Sequence, residues 1–233
     1  PYRRQRQMCI RDSNFYQDGG IIINANGMKG IGIGSGLGGV INIKRGHYEF
    51  DMKGQEGACI GSVNGDSELL IEYCDMDIYS GISNGTIIGS VNGDADIKLE
   101  NISAKLQGAG NIITGIGTIA GNSCMVRLEN VNISSNIRAK ECYGIGCRAG
   151  RTNIYIGYAA VKSVVQGKAA VAFGNSVMSA KLYCSNADIG TNAVTEFNSD
   201  IGALEKNIQL ENGRAEFILN GQEVKRQILA ARL

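Results

Sequence analysis

The chain has one proline, one histidine, no tryptophan and five phenylalanines among 233 residues. That composition does not suit a compact core built on large aromatic side chains. No apolar run approaches the ~18 residues of a membrane-spanning helix. The charged N-terminus is not followed by the apolar stretch of a secretory signal. An excess of one charge is missing too. Lys and Arg number 23 against 22 Asp and Glu, a net charge of +1. That balance gives no electrostatic footprint for nucleic acid or for a membrane surface. What the chain has in quantity is glycine, 33 residues of it.

Met8-Cys9-Ile10-Arg11-Asp12-Ser13 resembles a translated transposon end of the kind used to prepare sequencing libraries. On that resemblance residues 1–13 are adapter-derived, residues 1–18 form an artefactual or disordered segment, and a natural domain precedes them. Arg3, Arg4, Arg6 and Arg11 against Asp12 give the segment a net of +3, leaving residues 14–233 at +1 − 3 = −2. The arginine cluster is therefore not read as a nucleic-acid arm.

The glycines are periodic. An apolar residue followed by glycine recurs at Ile33-Gly34, Ile60-Gly61, Ile88-Gly89, Ile116-Gly117, Ile145-Gly146, Phe173-Gly174 and Ile201-Gly202, at spacings of 27, 28, 28, 29, 28 and 28. A fixed period in this range is the mark of a repeat architecture. After each anchor comes a short alternating run: Ile41/Ile43, Leu69/Ile71, Ile97/Leu99, Val126/Leu128, Ile154/Ile156, Leu182/Cys184 and Ile208/Leu210. Period-two alternation over so few residues predicts a half-buried strand. A turn follows at Asn101, Asn130, Asn186 and Asn212, with Tyr73 and Tyr158 in other coils. Asparagine tolerates the left-handed conformation, and stacked copies can form a ladder. A second alternating run then begins, for example Tyr48/Phe50/Met52 and Cys74/Met76/Ile78.

Strands this short cannot bury a face alone, but stacked coils bury a continuous aliphatic column while each backbone pairs with the next. The expected fold is an all-β, right-handed parallel β-helix over residues 19–220, with about seven coils of 28 residues. At ~4.8 Å per coil the rod is about 34 Å long, and the handedness follows the rule for parallel crossovers. An open end must be covered. Residues 221–233, with Val224, Ile228 and Leu229 at helical spacing, predict a C-terminal capping helix.

Gly30-Ile31-Gly32-Ile33-Gly34-Ser35-Gly36 and Ala58-Cys59-Ile60-Gly61 resemble the glycine-rich β-helix repeats of bacterial adhesin-like surface proteins, a likeness that covers most of residues 27–220. The resemblance implies a cell-surface stalk or carbohydrate-contacting module and brings no catalytic residues. The cysteines point the other way. Cys59, Cys74, Cys124, Cys142, Cys147 and Cys184 differ in repeat phase and contain no Cys-x-x-Cys pair, which argues against zinc. Dispersed free thiols suit a reducing compartment, and hence a cytoplasmic sensory or assembly module of a larger regulatory protein.

Three groups of residues could carry chemistry. Gly34-x-Gly36-x-x-Gly39 matches the dinucleotide-binding string, but it runs into Val40-Ile41-Asn42-Ile43, a strand, where a helix N-terminus is required. The motif is rejected. At one corner the repeat stacks Asp66 on Asp94 and Glu68 on Asp96. Four carboxylates could hold calcium through oxygen ligands, or could simply cap turns. On the outward sheet face one row reads Leu70, Lys98, Arg127, Tyr155, Tyr183, Gln209, and a second reads Glu72, Glu100, Glu129, Gly157, Ser185, Glu211. Tyr155 and Tyr183 would stack on sugar rings while Lys98, Arg127, Glu100 and Glu129 fix hydroxyls of an extended carbohydrate polymer. The plainer reading is a cross-strand ladder in which the two cations relieve repulsion among stacked glutamates. A protein partner fits the same face. An enzyme of the polysaccharide lyase or hydrolase type needs a carboxylate pair and walls around a cleft. The even spacing leaves no room for long loops, and the lone His47 lies on an outward phase.

Overall fold

The computed structural model describes residues 12–16, 20–176, 180–197 and 208–229. Nine strands run in order: β1 (Asp12–Tyr16), β2 (Gly20–Ser35), β3 (Gly39–Asn64), β4 (Ser67–Asn92), β5 (Ala95–Gly157), β6 (Ala160–Gly174), β7 (Ala180–Phe197), β8 (Ile208–Leu219) and β9 (Gln222–Leu229). Every pairing from β1 through β8 is parallel. The register repeats the sequence period: Ile41 lies on Leu69, Leu69 on Ile97, and Ile133 on Val161. The chain is an all-β parallel solenoid of about seven turns with ~28-residue spacing, and no helix occurs among the described residues. The seventh anchor, Ile201-Gly202, lies outside them. The ladder begins upstream of the expected boundary at Gly19, because Asp12–Tyr16 pairs with Val40–Lys44.

Alternation decides which side chains face inward. Ile41, Ile43, Leu69, Ile71, Ile97, Leu99, Val126, Leu128, Ile154, Ile156, Leu182 and Cys184 are all buried in one core cluster. The second run supplies Tyr48, Phe50, Met76, Ile78, Leu106, Ile133, Val161, Ile189 and Phe217 to that same cluster. Fully burying such a side chain stabilises by about 1.5–3 kcal/mol, so the stacked columns are the main source of stability.

Two backbone devices turn the chain. At the first corner Arg45, Tyr73, Asn101, Asn130, Tyr158, Asn186 and Asn212 all have φ between 46° and 62°, one per coil. Asparagine is the favoured non-glycine residue there, and Asn130 Nδ2 donates to Asn101 Oδ1 at 2.6 Å, a rung of the expected ladder. The anchor glycines have φ of 97° to 149° from Gly34 through Gly174. A Cβ at Gly34, Gly61, Gly89, Gly117 or Gly146 would run into the carbonyl oxygen of the glycine one coil on. Glycine is required here both by conformation and by room. Beside it a buried hydroxyl column satisfies the turn carbonyls: Ser62 and Ser90 donate to Gly65 O at 2.7 and 2.9 Å, and Thr118 donates to Gly93 O at 2.7 Å.

The C-terminal capping helix expected over residues 221–233 is not present. Gln222–Leu229 is instead a strand running antiparallel to β8, with Leu219 opposite Gln222 and Gly213 opposite Leu229; residues 230–233 lie outside the described residues. The reason is local. Asn220 and Gly221 have φ of 49° and 80°, the two positive values that a tight hairpin turn demands, and Asn-Gly is its strongest sequence signal. The unpaired edge of β8 then offers main-chain partners that a helix lying across it would leave unsatisfied. Asn220 also accepts a bond from Thr195 N at 2.8 Å and donates to Thr195 O at 3.0 Å, tying the turn to the coil below.

Candidate functional site

The strand following each glycine turn sends alternate residues into the core and the residues between them to solvent. Register therefore stacks the outward residues into rows. Leu70 lies on Lys98, Tyr155 on Tyr183 and Tyr183 on Gln209. In the neighbouring row Glu72 lies on Glu100, Gly157 on Ser185 and Ser185 on Glu211. Lys98, Glu100, Arg127, Glu129, Tyr155 and Tyr183 line one shallow trough of about 730 Å³. The six residues expected at the site thus share a surface. Met125 also lines it and was not among them; its signal in the sequence is its outward phase, two residues before Arg127.

The tyrosine rings stack on each other, with centroids 4.9 Å apart and planes within 6°. That separation equals the ~4.8 Å between neighbouring strands, so the ring planes stand across the rod axis. The trough therefore presents ring edges and phenolic hydroxyls. One face of each ring is turned to its partner within the pair.

The charges are also largely matched. Lys98 pairs with Glu100 at 2.7 Å, and Lys44 pairs with Glu72 at 2.9 Å. Arg127 turns away from the glutamates: it pairs with Asp96 at 2.6 Å and donates to Met125 Sδ at 2.7 Å. The carboxylate of Glu129 lies over Gly157 in the next coil, in the space a side chain at 157 would occupy. Gly157 and Ser185 carry the smallest groups of their row, and Glu129 leans into the space that Gly157 leaves.

The acidic corner is spent on the backbone. Asp66 Oδ1 accepts from Asp94 N at 2.8 Å, and Asp94 Oδ1 accepts from Asn122 N at 2.7 Å and Ser123 N at 3.0 Å. Asp96 holds Arg127. With Glu68 these residues border one depression. Among the described residues no group of three or more His, Cys, Asp or Glu is placed to hold a metal ion, and turn capping accounts for Asp66 and Asp94. His47 is exposed and bonded to Glu49 at 3.0 Å.

All six described cysteines are free and buried. Burial pushes the thiols of Cys59 and Cys184 up to about 12 and those of Cys74 and Cys142 up to about 11, and raises Cys124 and Cys147. Thiols held protonated are neither nucleophiles nor metal ligands at neutral pH. They pack as small apolar groups.

No protein-family model matches the chain, and no curated protein or solved structure shows significant similarity to it.

Proposed function

We propose that this right-handed solenoid is a non-enzymatic, adhesin-like binding module whose trough holds an extended carbohydrate polymer. The observation that supports the reading is the trough itself. It sets the stacked Tyr155 and Tyr183 beside the Lys98–Glu100 pair and Glu129 on an uninterrupted sheet. Ring edges with hydroxyls, a carboxylate and an ion pair supply donors and acceptors at several heights, the complement a chain of sugar hydroxyls needs. An open trough also suits a polymer passing through it. Binding of neutral and uronic polysaccharides, read by glycan array and then by calorimetry, tests the proposal. Binding that is lost in Tyr155→Phe/Tyr183→Phe supports it. An array on which the wild-type protein is silent removes it, and turnover of any glycan replaces it with the lyase or hydrolase reading.

A second reading is an intracellular sensory or assembly module of a larger protein. It is favoured by the six buried, unpaired cysteines, since thiols persist in reducing compartments. Thiol titration of the denatured, unreduced protein taken from its native source separates the two: blocked thiols favour the surface location, free thiols the intracellular one.

A further inference from the structure

We infer that a second copy of this chain docks along the corner between the glycine turn and the trough face, related by a two-fold axis that passes near Ser123 and Met125. The inference begins with how charge is distributed along the rod. Residues 47–101 hold eleven carboxylates against two cations, Lys53 and Lys98, a net of −9. Residues 102–185 hold nine cations against two carboxylates, Glu129 and Glu141, a net of +7. The middle of the rod is therefore split into an acidic and a basic half, between flanks of +5 over residues 1–46 and −2 over residues 186–233. The solenoid turns that sequence blocking into a spatial one, because residues 28 apart become neighbours.

At this corner the segregation has a centre. Glu68 stacks on Asp96, and Asp96, with Asp94 behind it, adjoins Ser123 and Met125. One coil further comes Arg151, and Asn153 then stacks on Lys181. Counted outward from Ser123 and Met125, the order is Asp94/Asp96 then Glu68 in one direction, and Arg151 then Lys181 in the other. Glu68, Asp96, Arg151 and Lys181 are all exposed. Asp96 holds Arg127, while no ion pair within the chain engages Glu68, Arg151 or Lys181 among the described residues.

A two-fold axis at Ser123 and Met125, where the Arg127 guanidinium is held by Asp96, sets Glu68 against Lys181 of the second copy, and Asp94/Asp96 against its Arg151. Both rods carry the same ~4.8 Å rise per coil, so the two series of charges stay in register without adjustment. Such a contact is isologous and closes on itself. A side-by-side parallel arrangement would instead place −9 against −9 and +7 against +7, at a cost.

The oligomeric state of the whole chain tests this, read by sedimentation velocity from ~20 mM to ~0.5 M salt, over which the screening length falls from roughly 20 Å to about 4 Å. The expected result is a dimer at low salt that dissociates as salt rises. Arg151→Glu/Lys181→Glu and Glu68→Lys/Asp96→Lys each lose self-association at low salt, and an equimolar mixture of the two regains it. A monomer at every salt concentration overturns the inference, as does association that strengthens with salt or variants that dimerise like wild type. Should either variant not fold, the wild-type salt series alone decides. A wild-type monomer that binds a sulfated polysaccharide, and loses it in Arg151→Glu/Lys181→Glu, assigns the basic half to a polyanion and overturns the dimer.

Discussion

Tyr155 and Tyr183 stack face to face across adjacent coils, 4.9 Å between centroids and 6° between planes. An aromatic cross-strand pair is worth about 0.5–1.5 kcal/mol beyond the area it buries. We expect Tyr155→Ala and Tyr183→Ala each to lower the urea unfolding free energy, and the double variant to cost about 1 kcal/mol less than the sum of the singles. Additive losses would mean that the rings do not support one another.

The glycine column makes a sharper prediction. Gly89 has φ of 136°, and a Cβ there collides with Gly117 O, whereas a Cβ on Gly190 meets nothing within 4 Å. Gly89→Ala should therefore prevent folding or cost more than about 3 kcal/mol, combining backbone strain with a clash that only coil separation relieves. Gly190→Ala should be neutral or stabilise by up to ~1 kcal/mol. Thermal unfolding of the pair checks both.

Tyr73 and Tyr158 occupy a conformation that their neighbours along the corner give to asparagine, with φ of 56° and 47°. Both rings are exposed, so little packing is lost on replacement. Tyr73→Asn and Tyr158→Asn should each stabilise by about 1 kcal/mol, the left-handed penalty for an ordinary L-residue. Tyr158→Asn also lies between Asn130 and Asn186 in the corner column. A fall in the melting temperature of either variant would contradict this.

The buried thiols contribute to the alkaline limb of stability, alongside Tyr48 and Tyr143, whose phenols burial also pushes up. The folded pKa values of the thiols lie above the ordinary thiol value of 9.0, with Cys59 and Cys184 at about 12. Between those values the unfolded chain releases protons that the folded chain keeps, so the unfolded state is favoured as pH rises. The stabilising contribution is complete below pH 9 and is lost progressively towards 12. Each such thiol contributes a slope of up to ~1.4 kcal/mol per pH unit in that window. Under reducing conditions Cys59→Ala/Cys184→Ala should flatten the fall between pH 9 and 11 measured by urea midpoints. An unchanged slope would refute the assignment.

Much of this fold is legible in the spacing of the residues alone. The corner asparagines show by their period, and Tyr73 and Tyr158 fall 28 residues from Asn101 and Asn186; Arg45, 28 residues before Tyr73, belongs to the same column. The trough rows follow from alternation and spacing. What the rows could not convey is rotamer: register places Tyr155 on Tyr183 but does not say whether the rings face solvent or each other. Nor does spacing reveal that Asp94 reaches two main-chain amides. At the C-terminus two local signals compete. Val224, Ile228 and Leu229 fit a helical stripe, but Asn220-Gly221 immediately before them is a turn signal, and tertiary pairing to an open edge outweighs a short stripe.

That hairpin decides something larger than the placement of eight residues. Coils that stack in parallel at a constant pitch can be extended indefinitely, which is how repeat strands drift into fibres. By reversing direction at Asn220-Gly221, β9 offers the outside world a ladder of the opposite polarity, on which another coil of the same repeat finds its bonding pattern out of step. The turn thus breaks the parallel register along this edge of β8, which the sequence period alone would continue.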